Sequence, residues 1–214
     1  MYCLPETYEF KDTASQFDDS SNEDGWQKEV YSFALSLARR YNLYQISDFG
    51  CGSGFKLVNN FMPTVFDTVG IDIKSSVDKL NIKYPEHNRV ISSCEDKEPA
   101  SIFSGAELII CSDVIEHLPR PDLFLATLKD SDAEYFVLST PAREILVDRG
   151  HNNLGPSKNP AHFCEWSSDE FRRFVATFLD VKLHIISNAI QATQLLIATK
   201  KGKKTEFNLE DILI

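Results

Sequence analysis

The feature that most constrains this chain is Asp48-Phe49-Gly50-Cys51-Gly52-Ser53-Gly54, three glycines at alternate positions between a β-rich run at 44–49 and a helical pattern at 55–61. Glycines at a strand-to-helix turn let the backbone approach a ligand closely, and the helix that follows offers unpaired N–H groups. Two familiar phosphate loops are set aside by spacing. No Gly-Lys-Ser/Thr follows, which excludes a P-loop. A dinucleotide loop spaces its glycines G-x-G-x-x-G, whereas these read G-x-G-x-G behind an acid. Asp48 would repel an anionic pyrophosphate and favour a cationic ligand.

The remaining chain alternates β-rich runs at 68–73, 89–93, 107–112, 135–140, 181–187 and 193–200 with helical or loop segments. That alternation predicts βαβ units around a largely parallel sheet. Residues 188–192 are too few for a crossover helix, so the last two runs should form an antiparallel hairpin. Before the first strand, Trp26, Val30, Phe33, Ala34, Leu37 and Tyr41 recur at helical spacing, with residues 21–24 available to cap that helix. Residues 141–166 hold several Gly and Pro residues and read as a long, functional loop, followed by a helix at 168–178.

The whole chain limits the alternatives. Its 214 residues suit one domain. We expect a lead-in or lid at 1–21, the folded domain at 22–200 and a tail at 201–214. No apolar run is long enough to cross a bilayer, and the N-terminus lacks a signal-peptide pattern. The expectation is a cytoplasmic protein without membrane insertion. The five cysteines include no C-x-x-C pair, so reduced thiols are expected rather than disulfides or a thiolate zinc site. A net charge of −10 disfavours a long nucleic-acid partner and leaves small-molecule or glycan-precursor substrates open. Lys200-Lys201-Gly202-Lys203-Lys204 reads as a solvated tail rather than an anion site. Composition leaves the oligomeric state undetermined.

A second acid sharpens the ligand. Asp72 closes the second strand, where a carboxylate accepts hydrogen bonds from both hydroxyls of a ribose. Past the third strand, Glu95 or Cys94 is a candidate contact for an adenine ring. After the fourth strand comes Ser112-Asp113-Val114-Ile115-Glu116-His117-Leu118. In these motifs the chain resembles the class I S-adenosylmethionine (SAM)-dependent methyltransferases from about residue 26 to 200. The fold so implied is α/β and Rossmann-like: a seven-stranded, mostly parallel sheet with helices on both faces and a C-terminal antiparallel hairpin. The resemblance implies SAM as cofactor, with Asp48, Gly50, Cys51, Gly52 and Gly54 around its methionine part, Asp72 and Ile73 at its ribose, and Asp113 and Val114 lining the pocket. One departure is the segment 129–134, which stands where many relatives carry a Lys-Pro-Gly-Gly-like turn.

Methyl transfer from SAM needs alignment and, for a hydroxyl acceptor, a base. His117 is the first candidate, with His162 and Glu116 beside it; His151 and Glu165 belong to the same expected edge. The segment 155–166 also resembles methyltransferases of bacterial glycan and surface-polysaccharide biosynthesis, which points to O-methylation of a sugar hydroxyl or phosphate-type oxygen, with N-methylation of an amino sugar as an alternative. Asp113, Glu116, His117 and His162 further resemble the metal-binding set of the small-RNA 3′-end 2′-O-methyltransferases. The leading expectation is a metal-free enzyme, with metal-dependent RNA methylation second. A non-catalytic SAM-binding module is the reading from another class, and turnover separates it from an enzyme.

Overall fold

The computed structural model describes residues 25–61, 66–86, 91–93, 101–154, 156–202, 204 and 207–208. The lead-in at 1–21, the capping residues 21–24 and the adenine candidates Cys94 and Glu95 lie outside them. The strands are β1 (Gln45–Phe49), β2 (Asp67–Asp72), β3 (Ile91–Ser93), β4 (Leu108–Ser112), β5 (Tyr135–Pro141), β6 (Asp180–Asn188) and β7 (Thr193–Thr199). The helices are α1 (Lys28–Tyr41), α2 (Lys74–Lys83), α3 (Pro121–Asp130), α4 (Arg143–Asp148) and α5 (Ser168–Phe178). One seven-stranded sheet runs in the order β3-β2-β1-β4-β5-β7-β6. The pairs β1–β2, β1–β4, β2–β3 and β4–β5 are parallel. β7 is antiparallel to both β5 and β6, so the sheet is completed by the anticipated hairpin.

The central strands are apolar on both faces because both faces are covered. Leu108 and Ile110 of β4 join a cluster with Val30, Ala34 and Leu37 of α1, and with Val137 and Ile197. Their neighbours Ile109 and Cys111 point the other way, into a cluster with Leu125 and Leu128 of α3 and Phe171 and Val175 of α5. Each fully buried side chain of this size contributes roughly 1.5–3 kcal/mol. Ser167 caps α5 in a reciprocal box with Glu170, and Trp166 stacks on Phe174 at 5.6 Å.

Four local expectations are corrected. α1 begins at Lys28 behind Gln27, a left-handed residue (φ 56°) with no side-chain cap hydrogen bond. The helix after the glycine loop widens into a π-turn at Leu57–Phe61. There the Asn59 amide donates to the Phe55 carbonyl at 2.7 Å, competing for the acceptor that the backbone N–H would use in an α-helix. The loop at 141–166 contains α4, tied at its start by Arg143 N–H to the Trp166 carbonyl at 3.0 Å. The basic run is solvated in part: Lys201 and Lys204 are exposed, whereas Lys200 is half-buried. Lys200 donates to the Ser131 carbonyl, Lys201 to that of Thr177 at 3.0 Å, and Phe207 packs against the α1 cluster.

Strand order reverses between β1 and β4: β2 and β3 follow on one side, β5 and the hairpin on the other. In open α/β sheets, that switch point opens a crevice at the carboxyl ends of the strands. Both the glycine loop and the Asp113–His117 segment lie there.

Candidate functional site

The crevice has two walls. The first is mainly backbone. Gly50 and Gly54 adopt φ of 77° and 70°, a region other residues enter only with strain. A Cβ on Gly50 would stand 2.2 Å from Val114 Cγ2, so the loop after β1 is packed directly on the segment after β4. Gly50 N–H donates to the Ile71 carbonyl at 2.7 Å, which fixes the turn on β2. The Asp72 carboxylate accepts from Gly52 N–H at 2.8 Å and from Ile73 N–H at 2.7 Å. Burial pushes the Asp72 carboxyl upward, and those backbone hydrogen bonds only partly offset it. Cys51 is buried beside Val77 and Leu80.

Asp48 is 1% exposed and accepts the Tyr31 hydroxyl on both oxygens, at 3.0 and 3.3 Å. Asp113 is left-handed (φ 51°), and its Oδ1 accepts from Ser139 Oγ at 2.8 Å. Desolvation raises the Asp113 carboxyl as well, against hydrogen bonds from Ser139 and Gln27. Three buried or half-buried carboxylates around glycine backbone form an anionic cradle. That fits a ligand with ammonium and sulfonium charges, and opposes a pyrophosphate.

The second wall is built from side chains. Glu116 and His117 lie on a single 3₁₀ turn at Ile115–His117, directly after β4. Phe163 N–H donates to the Glu116 carbonyl at 2.8 Å, fastening the loop after α4 to this turn. His162 is thereby brought to His117, ring centroids 4.8 Å apart and nearly perpendicular. Ligand-type atoms of Glu116, His117 and His162 all lie within 4.8 Å of one another. Asp113, the fourth residue of the metal alternative, is not part of this group.

Each member has an outer partner. Glu116 Oε2 accepts from Thr140 Oγ1 at 3.0 Å. His117 Nδ1 donates to the Ala161 carbonyl at 2.9 Å, and its Nε2 lies 4.0 Å from Glu116 Oε1. His162 Nδ1 donates to Glu165 Oε1 at 2.7 Å, and Ser157 Oγ donates to the same oxygen at 2.5 Å. His162 Nε2 accepts from the Asn159 amide at 2.9 Å. Burial, with His162 adding to it, lowers His117 to about 4. Burial, reinforced by the Asp113 charge, pushes the Glu116 carboxyl well above its usual range. At Glu165, burial acts upward, but hydrogen bonds from His162 and Ser157 prevail and hold the carboxyl low.

Sequence reasoning placed both walls at this edge, and Glu116, His117 and His162 converge. It missed Gln27, Tyr31, Ser139, Thr140 and Asn159. A signal existed for Tyr31, a phenol one turn after Gln27 on an otherwise apolar helix face. Thr140 and Ser139 sit in a β5 run buried to its end, where a hydroxyl needs a partner.

No curated protein matches the sequence. Solved structures do. A SAM-dependent methyltransferase from Clostridium acetobutylicum has a TM-score of 0.66 at 11% identity, covering 88% of this chain and 98% of that one. Magnesium protoporphyrin IX methyltransferase from Synechocystis PCC 6803, with bound S-adenosylhomocysteine, gives 0.60 at 18%, covering 82% and 83%. The small RNA methyltransferase HEN1 gives 0.62 at 21%, over 86% of this chain but only 27% of that larger protein. Residues 32–178 match a methyltransferase domain family, more than half of the sequence. With the glycine cradle, the acid-lined crevice and the hairpin-closed sheet, that match establishes the chain as a member of this family, a class I SAM-dependent methyltransferase.

Proposed function

We propose that the enzyme methylates a sugar-ring hydroxyl, with a divalent metal ion held by Glu116, His117 and His162 beside the SAM methyl group. The observation that carries this reading is the convergence of a carboxylate and two histidines whose other ring nitrogens are already committed to a carbonyl and a carboxylate. Outer partners of that kind orient histidine ligands and select their tautomer. His117, held near 4 by burial, is a weak base for a hydroxyl proton but a neutral donor suited to a metal. Its role therefore shifts from general base to ligand. A mixed carboxylate and imidazole set suits ions of the manganese, iron or zinc type. Bound there, the ion would supply Lewis-acid activation of the acceptor oxygen. Asn159 must release His162 Nε2 for that nitrogen to coordinate.

On the other wall, Asp48, Gly50, Gly52, Gly54, Asp113 and Val114 would enclose the methionine part of SAM. Asp72 and Ile73 would hold the ribose, and Glu95 is proposed for the adenine. The domain is proposed to run from about residue 22 to 200. The acceptor we favour is a carbohydrate-linked hydroxyl, whose oxygen such an ion would make more acidic. The net charge of −10 weighs against extended RNA. A single terminal ribose stays within this chemistry, and the likeness to the small RNA methyltransferase gives that second reading its support.

Methyl transfer from labelled SAM, measured with nucleotide sugars, glycan precursors and short RNAs, separates the acceptors. Dialysis against a chelator should abolish turnover, and added manganese should restore it. Full activity in the chelated protein would overturn the metal, while transfer to RNA alone would overturn the carbohydrate.

A further inference from the structure

α1 reaches the cofactor wall at two points one helical turn apart. Tyr31, 4% exposed, spans from the helix to Asp48 and donates its hydroxyl to the carboxylate. Gln27 donates from Nε2 to the Ser112 carbonyl at 3.3 Å, and its side chain also hydrogen-bonds the Asp113 carboxylate. Gln27 is itself held from behind. Its N–H donates to Gln191 Oε1 at 3.0 Å, and Gln191 Nε2 donates to the Gly25 carbonyl at 2.6 Å. Gln191 belongs to the turn between β6 and β7, so the bracket joins the start of the domain to its final hairpin.

Packing does not account for these groups. Val30, Ala34, Leu37 and the Tyr31 ring, which meets Phe61 edge-on at 6.3 Å, bury the apolar face of α1; the Tyr31 hydroxyl and the Gln27 amide are the polar groups beyond that contact. Gln27 and Asp113 are both left-handed non-glycine residues, at φ 56° and 51°, and a side-chain hydrogen bond joins them. Such conformations cost on the order of 1–3 kcal/mol each and persist where the surroundings hold them for a purpose. The two carboxylates they secure come from β1 and from the end of β4, adjacent strands at the switch point, and the Gly50–Val114 contact locks those segments together.

We propose that Gln27 and Tyr31 are positioning residues that hold Asp113 and Asp48 as an anionic pair for the ammonium group at the amino-acid end of SAM. Without the phenol, Asp48 loses a donor shared by both its oxygens; without the amide, Asp113 keeps Ser139 but loses its second side-chain donor. The adenosine end, held across β2, is not affected. The inference rests on the proposed placement of Asp48 and Asp113 at the methionine part of SAM and is independent of the metal and the acceptor.

The test compares two ligands on the full chain by calorimetry, with no turnover required. S-adenosylhomocysteine carries the amino-acid part, whereas 5′-methylthioadenosine has the adenosine and thioether without it. Tyr31→Phe and Gln27→Ala should each weaken S-adenosylhomocysteine roughly tenfold, about the effect of one hydrogen bond to a charged group. Binding of 5′-methylthioadenosine should stay within about twofold, which also reports a folded pocket. Equal weakening of both ligands would mark a merely structural role and overturn the proposal. Unchanged S-adenosylhomocysteine binding in both variants would overturn it as well.

Discussion

The two walls of the crevice are made differently. The wall proposed for the cofactor starts from local features, a seven-residue loop and the acid that closes the next strand, on which the fold lays Asp113 and Val114 from the end of β4. The acceptor wall is long-range: Glu116 and His117 on one turn, with His162 and Glu165 carried in by a loop whose contact at Ala161 is 44 residues from His117. The first wall answers to backbone geometry and charge, the second to side chains whose ionisation depends on burial and on each other. Changes on one wall should therefore leave the function of the other intact.

The strongest test of that separation is Glu116→Ala. Removing the buried carboxylate should lower turnover about 10²–10⁴-fold, the range for losing a group that acts on the reacting proton or its activating ion. Binding of S-adenosylhomocysteine, measured by calorimetry, should stay within about twofold. A parallel loss of cofactor affinity would mean that the two walls form one unit.

The reverse experiment is Gly50→Ala. The added Cβ meets Val114 at 2.2 Å and must also adopt φ of 77°, so the loop is forced off the β4 segment. Cofactor affinity should fall by about tenfold or more, since backbone strain of this kind costs on the order of 1–3 kcal/mol. Adding Val114→Ala removes the clash but not the strain, and should restore part of the binding. Manganese binding, followed by thermal shift, should persist in both variants.

A smaller effect sharpens the acceptor wall. Glu165→Gln keeps the shape beside His162 but removes the charge that orients it. Loss of an outer partner of this kind typically costs 10–100-fold in metal affinity. Calorimetry with manganese would read it, and an unchanged affinity would assign Glu165 to the loop's own stability.

The difference between the walls also explains what the sequence made legible. The turn at Asp48–Gly54, the strand end at Asp72 and the hairpin could be read because they are local: spacing alone sets the turn, the strand end and the short connection. Glu116, His117 and His162 could be named as candidates, yet their convergence depends on the Phe163–Glu116 backbone bond, which no spacing reveals. α4 was hidden for another reason. It buries no residue, so it carries no apolar stripe, and periodicity cannot detect it. The π-turn at Leu57–Phe61 leaves no trace in the spacing, and Gln27 is a left-handed residue where a capping side chain was expected.

The smallest expected effect returns to the cofactor wall and concerns acidity. Burial raises the Asp72 carboxyl above the ordinary aspartate value despite the hydrogen bonds from Gly52, Ile73 and Ser76. The folded protein therefore holds a proton that the unfolded chain has already released. Stability should fall as pH rises from about 3.8 through the raised folded value, because over that window the unfolded state binds fewer protons. Asp72→Asn removes the charge and with it this slope, so denaturant unfolding of the variant should depend less steeply on pH there. The same substitution removes a carboxylate proposed to accept the ribose hydroxyls, and cofactor affinity should drop. A variant that loses affinity while its pH slope flattens would identify Asp72 as a charge kept at some cost to stability for the ligand it faces. If the slope is unchanged, the carboxylate's hydrogen bonds already compensate its burial, and the cofactor wall would owe its stability to backbone alone.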